Sequence, residues 1–286
     1  MAQMKLYKLA SLNIIEQDQK YFGIEMDWDE LINRGNLFDF LKNEIANTNL
    51  LSDEVAKKLV EEDILPPIGT QEVWAAGVTY MRSRNARMEE SKESGGANFY
   101  DKVYEAERPE LFFKSFAHRV AGHNQQVYIR RDSSWNVPEP ELTLFINSFG
   151  KIQGYTIGND MSSRSIEGEN PLYLPQAKMY DRSAALGPCL FVTNNPLSPQ
   201  TQIHMQISRD DKIIYDDSVE ISRMKRSFDE LINFLYLEYS FPNGSFLMTG
   251  TCLVPANDFT LFENDKVVIS IDNIGTLANI VACNSH

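Results

Sequence analysis

Long apolar runs are missing from this chain. Nowhere do 18 consecutive apolar residues occur, so no membrane-spanning helix is expected. The opening residues, MAQMKLYKLASLNIIEQ, lack an apolar stretch of signal-peptide length, so no secretory leader is expected and the cytoplasm is the expected compartment. Cysteine is scarce. Cys189, Cys252 and Cys283 are odd in number, widely spaced and set in apolar company. That excludes a CxxC metal site and leaves small core residues in a reducing compartment as the simplest reading. Positive charge is in deficit, with 27 Lys and Arg against 40 Asp and Glu and a net charge of −13. Nucleic acid and anionic membranes are therefore poor partners. Internal repeats and low-complexity tracts are absent.

What is present is the composition of a folded chain: 286 residues, 43% of them hydrophobic, enough for one large domain and a small one. Lys5–Leu12 and Tyr21–Met26 read as short strands. Asp29–Ile45 reads as a helix with apolar residues at helical spacing and Gly35 as its weak point. A second helix runs from Ser52, a good N-cap, to Glu62. The run Ile64-Leu65-Pro66-Pro67-Ile68-Gly69 ends it. These signals predict an α+β, β-rich fold divided into a small α+β unit over residues 1–69 and a larger domain over 70–286.

The most informative stretch is Val137–Ser165. Leu142–Ile146 and Ile152–Ile157 are β-branched and aromatic runs, and Asn147-Ser148-Phe149-Gly150 between them is turn chemistry. Pairing about that turn returns Asp160 close to Glu139. Glu139 and Glu141 are two apart and point the same way on an extended strand. Three carboxylates then converge, which is unfavourable unless something positive sits among them. With only oxygen ligands on offer, a hard divalent cation is the natural occupant. The plainer alternative puts Glu139 and Glu141 on the wet face of an edge strand, a placement that Pro138 and Pro140 also suit.

Elsewhere, Val73–Tyr80 reads as a buried strand. The polar helix predicted over Met81–Ser94, followed by Gly95-Gly96, reads either as a lid or as a solvated surface helix. Lys114 closes the apolar run Leu111-Phe112-Phe113, so it either snorkels outward or points into a site. His118 reads most simply as structural. Lys178 falls 18 residues after Asp160 in a predicted loop, Gln176–Ser183. A lysine beside a dication would have its proton affinity lowered, so it could act as a base near neutral pH. Ser227-Phe228-Asp229-Glu230 is a capping box that opens a helix predicted to reach Tyr239.

Together, Glu139-x-Glu141, Gly158-Asn159-Asp160, Ser162-x-Arg164 and Lys178 resemble the fumarylacetoacetate hydrolase family. Gly77-Val78-Thr79-Tyr80, Met248-Thr249-Gly250-Thr251 and Asn273–Val281 agree, so the resemblance covers residues 72–283. It implies a mixed β-sheet roll with Mg²⁺ in its mouth, Mn²⁺ or Ca²⁺ being possible in its place, and assembly as a homodimer or homotetramer. Glu139, Glu141 and Asp160 would be the metal ligands, Lys178 would approach the substrate, and Thr251 would help hold a substrate carboxylate.

One departure is informative. Hydrolytic members carry a histidine that helps activate water. Ser83 stands at that position, and Asn85 at the position expected with the longer spacing. The segments Trp74–Tyr80, Ser83–Ser91 and Arg108–Lys114 instead resemble the 2-keto-3-deoxy-pentonate (arabinonate or xylonate) dehydratases of pentose catabolism. That resemblance implies metal-stabilised enolate chemistry on a 2-keto acid, ending in 2-oxoglutarate semialdehyde. Lys178 would be the C3 base. Glu90, or a water it holds, would be the acid for the departing C4 hydroxyl. Tyr80, Ser83, Arg84 and Lys114 would line the substrate end. Lys178→Ala is expected to leave metal binding nearly intact while lowering kcat by about 10²–10⁴. The competing readings are a C–C hydrolase of acylpyruvates and a non-catalytic metal-binding module. The missing histidine counts against the first. The retention of three carboxylates and Lys178 counts against the second.

Overall fold

The structure is a computed structural model that describes residues 3–82, 88 and 102–284. It is the strand-rich α+β architecture expected. Three antiparallel strands open it: β1 (Gln3–Lys8), β2 (Asn13–Gln17) and β3 (Lys20–Ile24). Three helices follow, α1 (Trp28–Ile32), α2 (Leu37–Asn47) and α3 (Asp53–Glu62). Next come β4 (Glu72–Gly77), β5 (Glu110–Phe116), β6 (Val120–Ala121), β7 (Gln126–Ile129), β8 (Asn136–Val137), β9 (Pro140–Ile146), β10 (Ile152–Asp160) and β11 (Ser162–Ser163). Two short helices, α4 (Arg164–Glu169) and α5 (Leu174–Lys178), precede β12 (Ala184–Thr193), β13 (Gln202–Arg209) and β14 (Lys212–Glu220). Helix α6 (Phe228–Leu235), β15 (Ser245–Met248), β16 (Lys266–Ile271) and β17 (Gly275–Cys283) complete the chain.

Among the described residues, ten strands form one mixed sheet in the order β3-β2-β1-β12-β10-β9-β15-β4-β5, with β6 against β12. The pairs β4/β15 and β6/β12 are parallel and the others antiparallel. A second sheet, β14-β13-β16-β17-β7, has five strands. The centre of the large sheet is covered on both faces, so β9 is buried at every residue and reads as a nearly continuous apolar run. Leu142, Leu144 and Ile146 on one face belong to a core shared with Ile203, Met205, Val267 and Leu277 of the second sheet. Phe145 on the opposite face packs into a core with Leu31, Ile32, Leu37 and Leu41 of α1 and α2.

Several sequence expectations need correcting. The helix predicted over Asp29–Ile45 is two helices, broken where Asn33–Asn36 surrounds Gly35. Strand β2 is an additional strand between the two expected over Lys5–Leu12 and Tyr21–Met26, its apolar content being just Ile14 and Ile15. The helix predicted to reach Tyr239 ends at Leu235, although Ser227 Oγ accepts the Glu230 N–H at 3.2 Å as the capping box requires. Apart from these, β1 pairs with β12 from Gln3↔Thr193 to Leu6↔Leu190 and so joins the large sheet.

Candidate metal centre and active site

The predicted hairpin forms, and it does what its spacing required. In β9 and β10, Gly158 lies opposite Glu141 and Asn159 opposite Pro140. The Asp160 N–H then donates to the Glu139 carbonyl at 2.9 Å. Glu139, Glu141 and Asp160 each offer a carboxylate oxygen, and these atoms lie within 4.8 Å of one another. All three residues are buried, at 3%, 1% and 1% exposure. The edge-strand alternative therefore fails: β9 is an inner strand, flanked by β10 and β15. Pro140 is tolerated because it is the first residue of that strand.

Two backbone features give the acids room. Gly158 has no side chain beside Glu141, and a Cβ there would fall 2.3 Å from Thr143 Oγ1. Gly250 has φ +97°, and its N–H donates to Glu141 Oε2 at 2.6 Å. The Thr79 hydroxyl secures the same turn by donating to the Thr249 carbonyl at 2.7 Å. One residue earlier, Val78 has φ +54°, an uncommon conformation for a β-branched side chain and a mark of local strain where the chain reaches the site.

Three buried cations meet two of the carboxylates. Lys178 Nζ is 2.5 Å from Glu139 Oε2 and 2.9 Å from Asp160 Oδ2. Arg164 Nη2 donates to Glu139 Oε1 at 2.6 Å. Lys114 Nζ is 2.5 Å from Asp160 Oδ1. Burial would raise the Asp160 carboxyl, but Lys114 and Lys178 override it and hold the group below its ordinary value. Glu141 has no cation within ion-pair distance among the described residues. Burial, then the charges of Asp160 and Glu139, push it well above the usual carboxylate range. A hard dication among the three oxygens would compensate Glu141, so the donor set and its electrostatics fit a magnesium-type ion.

The other predicted site residues divide. Tyr80 (1% exposed) and Thr251 (5%), next in sequence to Thr79 and Gly250, are buried, and Tyr80 bridges through its backbone to Met224. Burial, Cys252 and Glu141 raise the Tyr80 phenol, so it stays a neutral hydrogen-bond donor. Ser83, Arg84 and Glu90, with most of the predicted helix Met81–Ser94, lie outside the described residues. Lys178 is not in a loop. It is the last residue of α5 and is fully buried. Lys114 is also fully buried, and burial brings it down to about 8. Its ammonium is ion-paired with Asp160 and donates to the carbonyls of Met161 (3.0 Å) and Lys178 (2.5 Å). His118 stacks on Phe116 with ring centroids 5.8 Å apart. Sequence reasoning noted Arg164 only as part of a motif. Its contact with Glu139 follows from α4 beginning four residues after Asp160. The Gly250 N–H left no sequence signal beyond the glycine itself.

Residues 79–282 match the fumarylacetoacetate (FAA) hydrolase C-terminal family. The chain belongs to that family. A probable 2-keto-3-deoxyxylonate dehydratase from Haloferax volcanii is 46% identical over 231 residues, 80% of this chain and 78% of that protein. A 2-dehydro-3-deoxy-D-arabinonate dehydratase from Saccharolobus solfataricus is 42% identical over 216 residues, 75% of this chain and 72% of that one. A solved structure of 2-keto-3-deoxy-D-arabinonate dehydratase complexed with magnesium and 2,5-dioxopentanoate superposes over 100% of both chains, with a TM-score of 0.84 and 32% identity.

Proposed function

We propose that this chain is a Mg²⁺-dependent hydro-lyase that dehydrates a 2-keto-3-deoxy-pentonate, arabinonate or xylonate, to 2-oxoglutarate semialdehyde. The observation that carries the reading is the buried triad Glu139, Glu141 and Asp160 with the Lys178 amine against two of its members. Relatives above 40% identity that are named as dehydratases support it.

Glu139, Glu141 and Asp160 would hold the ion. When bound, it supplies positive charge for the carboxylate and C2 oxygen of a 2-keto acid and stabilises the charge that builds there as C3 loses its proton. Lys178 is the base that takes the C3 proton. The resulting ammonium is stabilised where it stands, by Glu139 and Asp160. The C4 hydroxyl departs as water after receiving a proton from Glu90 or from a water that Glu90 holds. This leaves a C3=C4 enone; C5 then gives up a proton to solvent as the Lys178 ammonium returns one to C3, and the C4=C5 enol so formed takes a proton at C4 and loses its O–H proton to become the semialdehyde. Tyr80 donates its phenolic proton to a substrate oxygen. The Thr251 hydroxyl, which accepts the Leu253 N–H at 3.3 Å, donates to the substrate carboxylate. Ser83 and Arg84 contact the polyol end. Mn²⁺ or Ca²⁺ would satisfy the same oxygen donors. Assembly as a homodimer or homotetramer and a cytoplasmic location complete the proposal; light scattering on the purified chain tests the former.

The test is a paired assay with Mg²⁺ and an EDTA control. One arm holds 2-keto-3-deoxy-D-arabinonate or -xylonate and detects semialdehyde through a coupled dehydrogenase. The other holds acetylpyruvate. EDTA-sensitive semialdehyde formation with acetylpyruvate untouched is expected. Cleavage of acetylpyruvate alone would replace the dehydratase by a C–C hydrolase that activates water without the usual histidine.

A further inference from the structure

The resemblance places Lys114 at the substrate end, but in the structure its ammonium is turned toward oxygens of the protein itself. It stands near the end of β5 with no exposed surface. Its ammonium meets three oxygens: Asp160 Oδ1 at 2.5 Å, the Met161 carbonyl at 3.0 Å and the Lys178 carbonyl at 2.5 Å. The centroid of the Tyr180 ring is 6.0 Å from it. Two hydrogen bonds to main-chain carbonyls and an ion pair to Asp160 thus hold the ammonium with no exposed surface left to it. The Ser183 hydroxyl donates to the same Lys178 carbonyl at 2.8 Å. That carbonyl is therefore held by two side chains at once.

The need for such a clamp is plain from the local structure. Helix α5 has five residues, too few to fix its own end. Lys178 is its last residue, and the Lys178 side chain must arrive between Glu139 and Asp160. We infer that Lys114 is a positioning residue: its ammonium ties the metal ligand Asp160 to the main chain of Lys178 and so fixes the distance between the ion and the proton-accepting amine. The inference rests on the dehydration reading, in which that distance matters. Arginine cannot replace the lysine here, because a planar fork does not meet three divergent acceptors. Methionine fills the space and donates nothing.

Lys114→Met and Ser183→Ala in the full chain test this. Four quantities are read for each: steady-state kinetics with the pentonate and Mg²⁺, the deuterium isotope effect with C3-deuterated substrate, Mn²⁺ binding by electron paramagnetic resonance, and thermal unfolding. A misplaced base is expected to lower kcat about 10–100-fold for Lys114→Met and about 2–10-fold for Ser183→Ala, with KM within about threefold of wild type. The isotope effect should rise in both, because C3–H cleavage becomes slower relative to other steps, while Mn²⁺ still binds. A merely structural role would lower the unfolding temperature and leave the isotope effect where it was. A substrate-contact role would raise KM at unchanged kcat. Either result overturns the inference. If Lys114→Met does not fold, Ser183→Ala decides, and wild-type kcat and isotope effect in that variant also overturn it. A wild-type chain without dehydratase turnover would instead remove the dehydration reading, and with it the step Lys114 serves.

Discussion

Replacing Lys178 by methionine should separate two roles that its position combines. The amine is fully buried and touches both Glu139 and Asp160. Without metal, its loss leaves a buried cluster of three carboxylates with Arg164 and Lys114, among the described residues, as cations in contact. Removing one partner of a buried pair costs about 3–5 kcal/mol. For a chain of this size that is a fall of roughly 5–15 °C in unfolding temperature, measured in EDTA. Added Mg²⁺ should restore most of the loss, because the ion supplies the missing positive charge at the same oxygens. The ion should also bind more tightly than in wild type, where it must share Glu139 and Asp160 with an ammonium. This differs from the unchanged metal binding expected on sequence grounds, since two ligand contacts of Lys178 were not visible there. A gain of about tenfold in affinity corresponds to ~1.4 kcal/mol and is resolved by calorimetry. Turnover at saturating Mg²⁺ should still be down by about 10²–10⁴. Two results would refute the reasoning: a metal-free variant as stable as wild type, or a metal-loaded variant within tenfold of wild-type kcat.

Two further predictions concern the frame around the site. In Gly250→Ala, the new Cβ would sit 2.0 Å from Thr79 Oγ1 at a φ of +97° and displace the N–H that orients Glu141. A loss of about 2 kcal/mol or more is expected, with weakened Mg²⁺ binding; differential scanning calorimetry with and without the ion measures both, and wild-type values would show that the turn does not hold Glu141. At alkaline pH the buried phenols matter. Burial raises Tyr7, Tyr80, Tyr155, Tyr180 and Tyr236, so above the ordinary tyrosine range the native state holds more protons than the unfolded chain and stability falls as pH rises. Ultraviolet titration should show these phenolates appearing together with loss of circular dichroism; full ionisation of a still-folded chain would contradict the burial argument.

Much of the site was legible because it is local. Asp160 returns to Glu139 through one hairpin, whose register follows from two β-rich runs and a four-residue turn. The apolar company of Leu142–Ile146 announced a strand, and a period of two set its acids on one face. What was not legible depends on packing between distant segments. Lys114 reads in sequence as a lysine at the end of an apolar strand. Only the folded chain shows that β5 brings it to Asp160 and to the far end of α5. Lys178 read as a loop residue because α5 is a single turn with a proline near its start, below the length at which periodicity is informative. The inner position of β9 was obscured by its prolines, which suit a sheet edge as well as the first residue of a buried strand.

The join between β1 and β12 has a consequence for how the chain is made. Gln3 finds its partner, Thr193, only after roughly 190 more residues are synthesised, on the order of 10–40 s at ribosomal speed. Until then the strand can pair only with β2, which in turn pairs with β3. The opening meander thus waits with one unsatisfied edge, and that edge is protected when the core of the metal site, which β12 flanks, has been translated. Nascent chains stalled before β12 should be the ones that chaperones hold.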